Sequence, residues 1–524
     1  MLLLIFVVVI FLCILHHVVY TTFYKHKSPK HARFWTEVPT VGVSPDGILP
    51  WVIGALHSIT QCYEHSSLGY LTFNKQDDSV FSQSMMGVGP VVCLPISQLH
   101  VLNKPESELV TKKVQLEGLQ PKYTTGDAAI FDHLIHFDVV RRFFRKNTLD
   151  KFIDPINEEL NLAFRQHWGT RTSEWTTVEV WDSCTKIMTR VASRAIFGQE
   201  LSCNDDFTEH ARELGRAQFG GAAFINALPP VVRPLLGPLF GYSARKHEAA
   251  CLKIILPLVE KRLQQLRDGL RGKEKPNDPI QWLIDECEKA GPRHLRPISM
   301  ARGLLQLHLT SNFGVTYAFV GCILDLHSSV SCDEFVAGLR EEHRIASKRY
   351  GKLSSSTIFE GLHRLDSAVR ESMRLSTFPI ISFMRVVSTQ TDGLTLDNGT
   401  HLPAGTRIGI PGRAIHRDAD FYPDPSEYDA FRFSRPFEEQ QGEKREASTR
   451  ITTATLTDSF LSFGYGRHAC PGRWFASQYL KQALLQVITN YDVEISKPWK
   501  KTVMLNMILP PTEAEVRIRR RSEV

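Results

Sequence analysis

Phe463 to Gly472 reads Phe-Gly-Tyr-Gly-Arg-His-Ala-Cys-Pro-Gly. One cysteine, Cys470, stands in a tight loop bounded by glycines. A helical run follows at once: Trp474, Phe475, Tyr479, Leu480, Ala483, Leu484, Val487 and Ile488 recur at three- and four-residue spacing. Cys470 is therefore expected just before a helix N-terminus, where free N–H groups and the helix dipole favour a thiolate. Gly464, Gly466 and Gly472 let the backbone take unusual dihedrals and approach something flat. Pro471 fixes the chain beside the sulfur. No second cysteine and no zinc-type spacing lie nearby, so the sulfur reads as the single protein ligand of a metal.

Heme iron held by a cysteine thiolate fits this loop, because the thiolate pushes electron density onto iron. The stretch resembles the heme-binding loop of the cytochrome P450 family, Phe-x-x-Gly-x-(Arg/His)-x-Cys-x-Gly. Phe463, Gly466, His468, Cys470 and Gly472 match it position by position. The resemblance implies heme b as cofactor, with Cys470 as the axial ligand, Phe463 shielding the sulfur and His468 at a propionate. It also implies a mainly α fold with a minor β portion.

Upstream residues extend the resemblance to about 35–520. Glu371 and Arg374 share a helix face. In the family such a pair forms a buried ion network with a later arginine, here Arg432, although the usual Pro-Glu before that arginine is Ala430-Phe431. Arg385 matches a propionate ligand. So does Arg141, four residues after the aromatic Phe137, on an amphipathic run read as one helix over Phe131 to Phe152. Arg-to-carboxylate pairing is the physical reason for both.

Pro297 to Leu326 reads as one long helix, apolar all round and hence buried. Gln306, His308, Thr310, Ser311 and Asn312 stand at its middle and need partners or a wet cavity. It resembles the family's central helix beside the oxygen site, which usually carries an acid or amide followed by threonine. In that register His308 takes the acidic position and Leu309 the threonine position. Thr310 is then rotated about 100° away, and a local π-bulge would be needed to bring it round. The expected relay is His308, Thr310 and ordered water.

Length, at 524 residues, and a 43% hydrophobic composition allow a large core. The net charge of +6 is scattered except at Arg517 to Arg521, which reads as a solvated end; nucleic acid is not an expected partner. Ten cysteines without a CxxC pair point to reduced thiols in a cytosolic setting. Met1 to Tyr24 forms an apolar run about 36 Å long as a helix, enough to span a bilayer. Lys25, Lys27, Lys30 and Arg33 follow it and place the downstream side in the cytosol. The organisation expected is a membrane anchor at 1–24, a linker at 25–50 and a heme-thiolate domain at 51–524, on the endoplasmic reticulum membrane.

After Pro379, short alternating segments at Ile380 to Val387, Leu394 to Leu396 and Thr406 to Ile410 read as one small sheet. Ala222 to Gly241 is apolar and broken by prolines, so it is not one helix. In the family that region roofs the substrate site and dips into the membrane. Glu438 to Ser459 reads as a polar surface insertion. No dinucleotide motif is visible, so electrons are expected from a membrane-bound NADPH-cytochrome P450 reductase. The resemblance implies monooxygenation of an apolar small molecule by O2. His308, Thr310 and the Gly466–Cys470 stretch are similar to fungal secondary-metabolism members of the ent-kaurene oxidase type, which act on terpenoid or mixed terpenoid substrates. A heme-thiolate isomerase or dehydratase, and a heme-binding membrane protein without catalysis, use the same loop and stay open at this point.

Overall fold

The computed structural model describes residues 29–43, 50–228, 230–269, 275–351, 356–439 and 450–522. The proposed anchor, the linker residues 25–28 and 44–49, Pro229 and the middle of the Glu438 to Ser459 segment lie outside them. The fold is mainly helical, with a minor β portion in four sheets among the described residues.

A single helix runs from Pro297 to His327, and most of its side chains are buried. Among the described residues it is the helix long and apolar enough to cross a membrane. Here it threads the protein core instead, between the helices Val180–Phe197, Asp205–Ala227, Tyr242–Arg267, His363–Leu375 and Arg473–Asn490. Apolarity all round thus reports burial in protein, as the sequence pattern implied. Val180–Phe197 ends at Gly198, whose φ of +87° stops the helix.

The segment at 131–152 is a correction. A short 3-10 turn ends at Phe131, a helix spans Ile135–Phe143, and a new helix starts at Asp150. Phe144, next to the break, is buried against Phe152 and Phe475. Packing of these rings takes the place of a continuous amphipathic stripe. Ala222 to Gly241 is broken as read: one helix ends at Ala227 and another spans Arg233–Phe240.

The β portion is larger than the sequence implied. A six-stranded sheet runs in spatial order Thr40–Val41, Phe81–Met85, Gly89–Cys93, Arg407–Ile410, Ser382–Val387 and Leu109–Val110. The expected strands at 380–387 and 406–410 are neighbours in it, pairing antiparallel. The middle segment instead makes its own hairpin, Gly393–Thr395 with His401–Pro403. The register of Ser382–Val387 shifts between Ser382 and Arg385, where Phe383 takes a φ of +56°. Such a bulge re-aims the side chains that follow.

The basic C-terminal end is also a correction. Glu515–Arg520 is the middle strand of a three-stranded sheet, between Tyr491–Ile495 and Thr176–Glu179. Arg519 and Arg521 pair with Asp492, each at 3.1 Å. These charges serve the sheet edge. In the 438–459 segment, Thr453 is fully buried and bonded to Asp366, so its C-terminal part is packed structure.

Candidate active site: a cysteine loop below the central helix and a cavity beside it

The cysteine loop is set by backbone geometry. Gly464 takes φ +90° and Gly466 φ +54°. A Cβ on Gly466 would overlap the side chain of Asn103, so both dihedral and space exclude other residues there. Gly472 has an ordinary φ of −89° and caps the helix Arg473–Asn490. Its N–H reaches the sulfur of Cys470. The Cys470 N–H donates to the Phe463 carbonyl at 2.6 Å, and Phe463 is buried beside it. Burial pushes the Cys470 thiol up, against the opposing pull of the Gly472 N–H and Arg473. The dipole effect expected from sequence is therefore outweighed by desolvation. A bound cation reverses the balance, since a coordinating thiol gives up its proton.

Behind the loop sits the ion network. Arg374 grips Glu371 with two bonds, Nη2–Oε1 at 2.7 Å and Nε–Oε2 at 2.8 Å, and both side chains are fully buried. Arg432 Nε joins Glu371 at 3.0 Å. The Ala430-Phe431 departure does not disturb this. Arg374 also donates to the carbonyls of His416 and Pro425, at 2.6 and 2.7 Å. His416 completes the link: its Nε2 accepts the Leu461 N–H at 2.7 Å and its Nδ1 meets the Thr377 hydroxyl at 2.6 Å. Burial, reinforced by Arg374, depresses the His416 pKa to about 3, so it stays neutral and able to accept. His416 ties the network to the loop two residues before Phe463. Its role depends on the fold, since its partners are distant in sequence.

A basic cluster forms the loop's other flank. His468 is held below its usual pKa by burial first, then by Arg385, Arg467 and Arg141, with Glu106 opposing. Arg385 Nη1 finds only the Met384 carbonyl, at 2.9 Å, and its Nε has no partner among the described residues. Arg141 rests on Asp138 at 2.9 Å, and both are exposed. Glu106 spends its carboxylate on the Thr111 and Lys112 N–H groups. Converging cations with only one paired carboxylate among them are unfavourable by themselves. A dianion fits them, and the two propionates of heme b are one. The donor set therefore fits heme: the Cys470 thiol, an Arg385 guanidinium without a carboxylate partner, and a glycine backbone that allows close approach.

A separate feature is a cavity of about 460 Å³. Met85, Leu116, Phe131, Phe137, Phe219 and Phe378 supply apolar lining, and Gln306 and Thr310 reach it from the central helix. Met384, just past the Phe383 bulge, lines it too, one residue from Arg385. The strand-end and turn residues at 85–88 and the helix Lys112–Leu119 carry no chemical motif, and sequence reasoning did not single them out.

The central helix is regular through this region, with no π-bulge. Thr310 nevertheless lines the cavity, whereas Leu309 is buried toward Gly215. The residue presented to the cavity is Thr310, one position later than the sequence register placed the threonine. Its hydroxyl donates to the Gln306 carbonyl at 2.9 Å or the Leu307 carbonyl at 3.1 Å, leaving its oxygen lone pairs open. His308 is a correction. It is fully buried on another face, packed near Phe197 and Phe207 and sharing a hydrogen bond with Ser193 Oγ at 3.1 Å. Burial depresses its pKa to about 4. Asn312 likewise turns to Thr189 at 2.8 Å. Both bind the helix Val180–Phe197 and do not face the cavity.

The family model described as cytochrome P450 matches residues 47–518. The chain belongs to the cytochrome P450 family. Among curated relatives, this P450 is 34% identical to the monooxygenase gloP of Glarea lozoyensis, over 98% of this chain and 95% of that one. It is 34% identical to htyF of Aspergillus rugulosus, over 89% of this chain and 70% of that one. A solved cytochrome P450DA heme domain superposes with a TM-score of 0.65 at 13% identity, over 93% of this chain and 98% of that one. The protein is thus a cytochrome P450 monooxygenase whose cofactor is heme.

Proposed function

We propose that this P450 inserts one oxygen atom into a C–H bond of an apolar small molecule held in the cavity beside Thr310. The observation that carries the reading is the placement of Thr310 on an otherwise mostly apolar cavity, with the cysteine loop and basic cluster at the heme site. Heme, when bound, supplies the activation of O2; the chain supplies position, protons and dryness. Cys470 would hold the heme iron through its sulfur, with Phe463 covering it. Arg385, His468 and Arg141 would neutralise the propionates, and Gly466 would keep the backbone clear. Thr310, its own proton turned to the helix backbone, accepts a hydrogen bond from water and so holds a proton donor at the cavity wall. Glu371, Arg374 and Arg432 keep the loop in place.

The finer substrate class is terpenoid or mixed terpenoid. Its support is the resemblance of the 308–310 and 466–470 stretches to ent-kaurene oxidase-type fungal members. Electrons come from NADPH-cytochrome P450 reductase, and the site faces the cytosol at the endoplasmic reticulum. Exposed apolar side chains on the roof, Phe224, Val231, Leu235 and Leu239 among them, support a membrane contact there. The test is product analysis after co-expression with a reductase and candidate terpenoids. Hydroxylated product that requires O2 and reductase supports the reading. Conversion that proceeds without either shows an isomerase or dehydratase.

A further inference from the structure

Gln306 lies one turn before Thr310 on the cavity face of the central helix. It is only 5% exposed, and it lines the cavity. Its side-chain amide has two donor hydrogens and an acceptor oxygen, and none meets a protein group among the described residues; only its backbone carbonyl is used, by Thr310. Ser58, Asn506 and the Asn226 oxygen at the same wall are already bonded. Ser58 gives its proton to the Ala55 carbonyl and accepts the Met86 N–H. Asn506 bridges the N–H and carbonyl of Ile381. The Asn226 side-chain oxygen accepts from Gln120.

A primary amide withdrawn from bulk water needs a partner. In the ligand-free protein a cavity water can serve. A bound ligand must either replace that water with an equivalent group or leave the amide unpaired. We propose that Gln306 is a substrate-positioning residue whose amide hydrogen-bonds a polar oxygen or nitrogen group of the substrate. Because Gln306 is one helical turn from Thr310, about 5.4 Å, that group lies near the carbon presented to Thr310. The substrate is then an apolar skeleton that already bears a hydroxyl, carbonyl or amide, not a bare hydrocarbon. A functionalising reaction must precede this enzyme. The inference rests on the monooxygenase reading of the same cavity and narrows its substrate.

The test uses the heme-loaded full-length chain in detergent and two cage probes of nearly equal shape, adamantane and 2-adamantanone. Binding is followed by the ligand-induced change in heme absorbance. The wild type is expected to hold the ketone roughly tenfold more tightly than the hydrocarbon, as one hydrogen bond to a buried donor allows. Gln306→Leu is expected to bring the ratio near one with hydrocarbon affinity kept. Gln306→Glu, which as a carboxylate only accepts, is expected to lose the ketone yet bind 1-adamantanol. If the leucine variant fails to load heme, the glutamate variant carries the comparison. A ratio unchanged in either variant, or a wild type without preference for the ketone, overturns the assignment. Absence of the red-shifted carbon monoxide band in the wild type falls instead on the heme-thiolate reading.

Discussion

The cysteine loop and the cavity face of the central helix handle their polar groups in opposite ways. In the network behind the cysteine loop, charges and hydrogen-bonding groups are matched within the protein: Glu371 by two arginines, Arg374 by a carboxylate and carbonyls, His416 at both ring nitrogens. On the cavity face, the Gln306 amide and the Thr310 lone pairs are left for what enters. Saturated networks fix one geometry; open groups cost stability unless a ligand or water meets them. The protein is rigid where a ligand to iron must be held and unspent where a substrate must be read.

The harshest way to break the comparison is at the sulfur. Cys470→Ala is expected to abolish turnover and the red-shifted Soret band of the reduced carbon monoxide complex, because the loop offers no other thiol. A surviving band would move the ligand elsewhere. The next largest effect is expected from Arg374→Ala, which leaves Glu371 buried with only Arg432. Breaking a buried pair costs about 3–5 kcal/mol, so heme content and the urea midpoint should both fall. Near-wild-type stability would show that the network is not what secures the loop.

Legibility from sequence followed the same division. The loop was readable because its geometry is local: Gly464 and Gly466 need positive φ, and Cys470 has a fixed place between them and a helix. Glu371 and Arg374 were readable because i, i+3 spacing puts them on one face. The cavity was not readable, since it depends on rotation about a long buried helix and on distant strands. An all-apolar helix gives no stripe to set its rotation, so a one-residue error exchanged Leu309 for Thr310 and turned His308 toward the wrong wall. Phe81–Met85 and Gly89–Cys93 are buried along their whole lengths; without alternation they gave no strand signal. His416 bonds to Leu461, 45 residues away, a link no local pattern carries.

Buried histidines sharpen the comparison through pH. His308 and His136 are depressed to about 4 and His416 to about 3, all first by burial. The unfolded chain takes up these protons near pH 6.5, while the folded one resists. Stability from neutral burial is therefore fully present above pH 6.5 and is lost as pH falls toward 4. His308→Gln should remove one such proton and reduce the stability difference between pH 7 and pH 5 by about 1–2 kcal/mol. Equal slopes in wild type and variant would show that His308 is protonated in the fold.

On the roof, Leu235 and Leu239 are 79% and 69% exposed, next to the helix whose Ala223 and Asn226 line the cavity. A chain lacking Met1 to Tyr24 is expected to sediment partly with membranes. Adding Leu235→Ser and Leu239→Ser should release much of that fraction, since each leucine buried contributes about 1.5–3 kcal/mol. Unchanged sedimentation after the double substitution would place the contact elsewhere.

The smallest and most discriminating effect concerns Leu309 and Thr310. They are adjacent, yet one packs toward Gly215 and the other lines the cavity. If the threonine holds the water that delivers protons, Thr310→Ala should release more hydrogen peroxide per product while lowering kcat by less than about tenfold, roughly 1.4 kcal/mol. Thr310→Ser keeps the hydroxyl and should restore coupling. Leu309→Thr should leave coupling unchanged and lower the melting temperature, because its hydroxyl enters an apolar contact between helices. His308→Gln belongs to the same side as Leu309 and should also leave coupling unchanged. The pattern separates rotation from chemistry. If coupling responds at Leu309 or His308 and not at Thr310, the helix in the working enzyme is turned by about one residue, and the sequence register, with His308 in the relay, is restored.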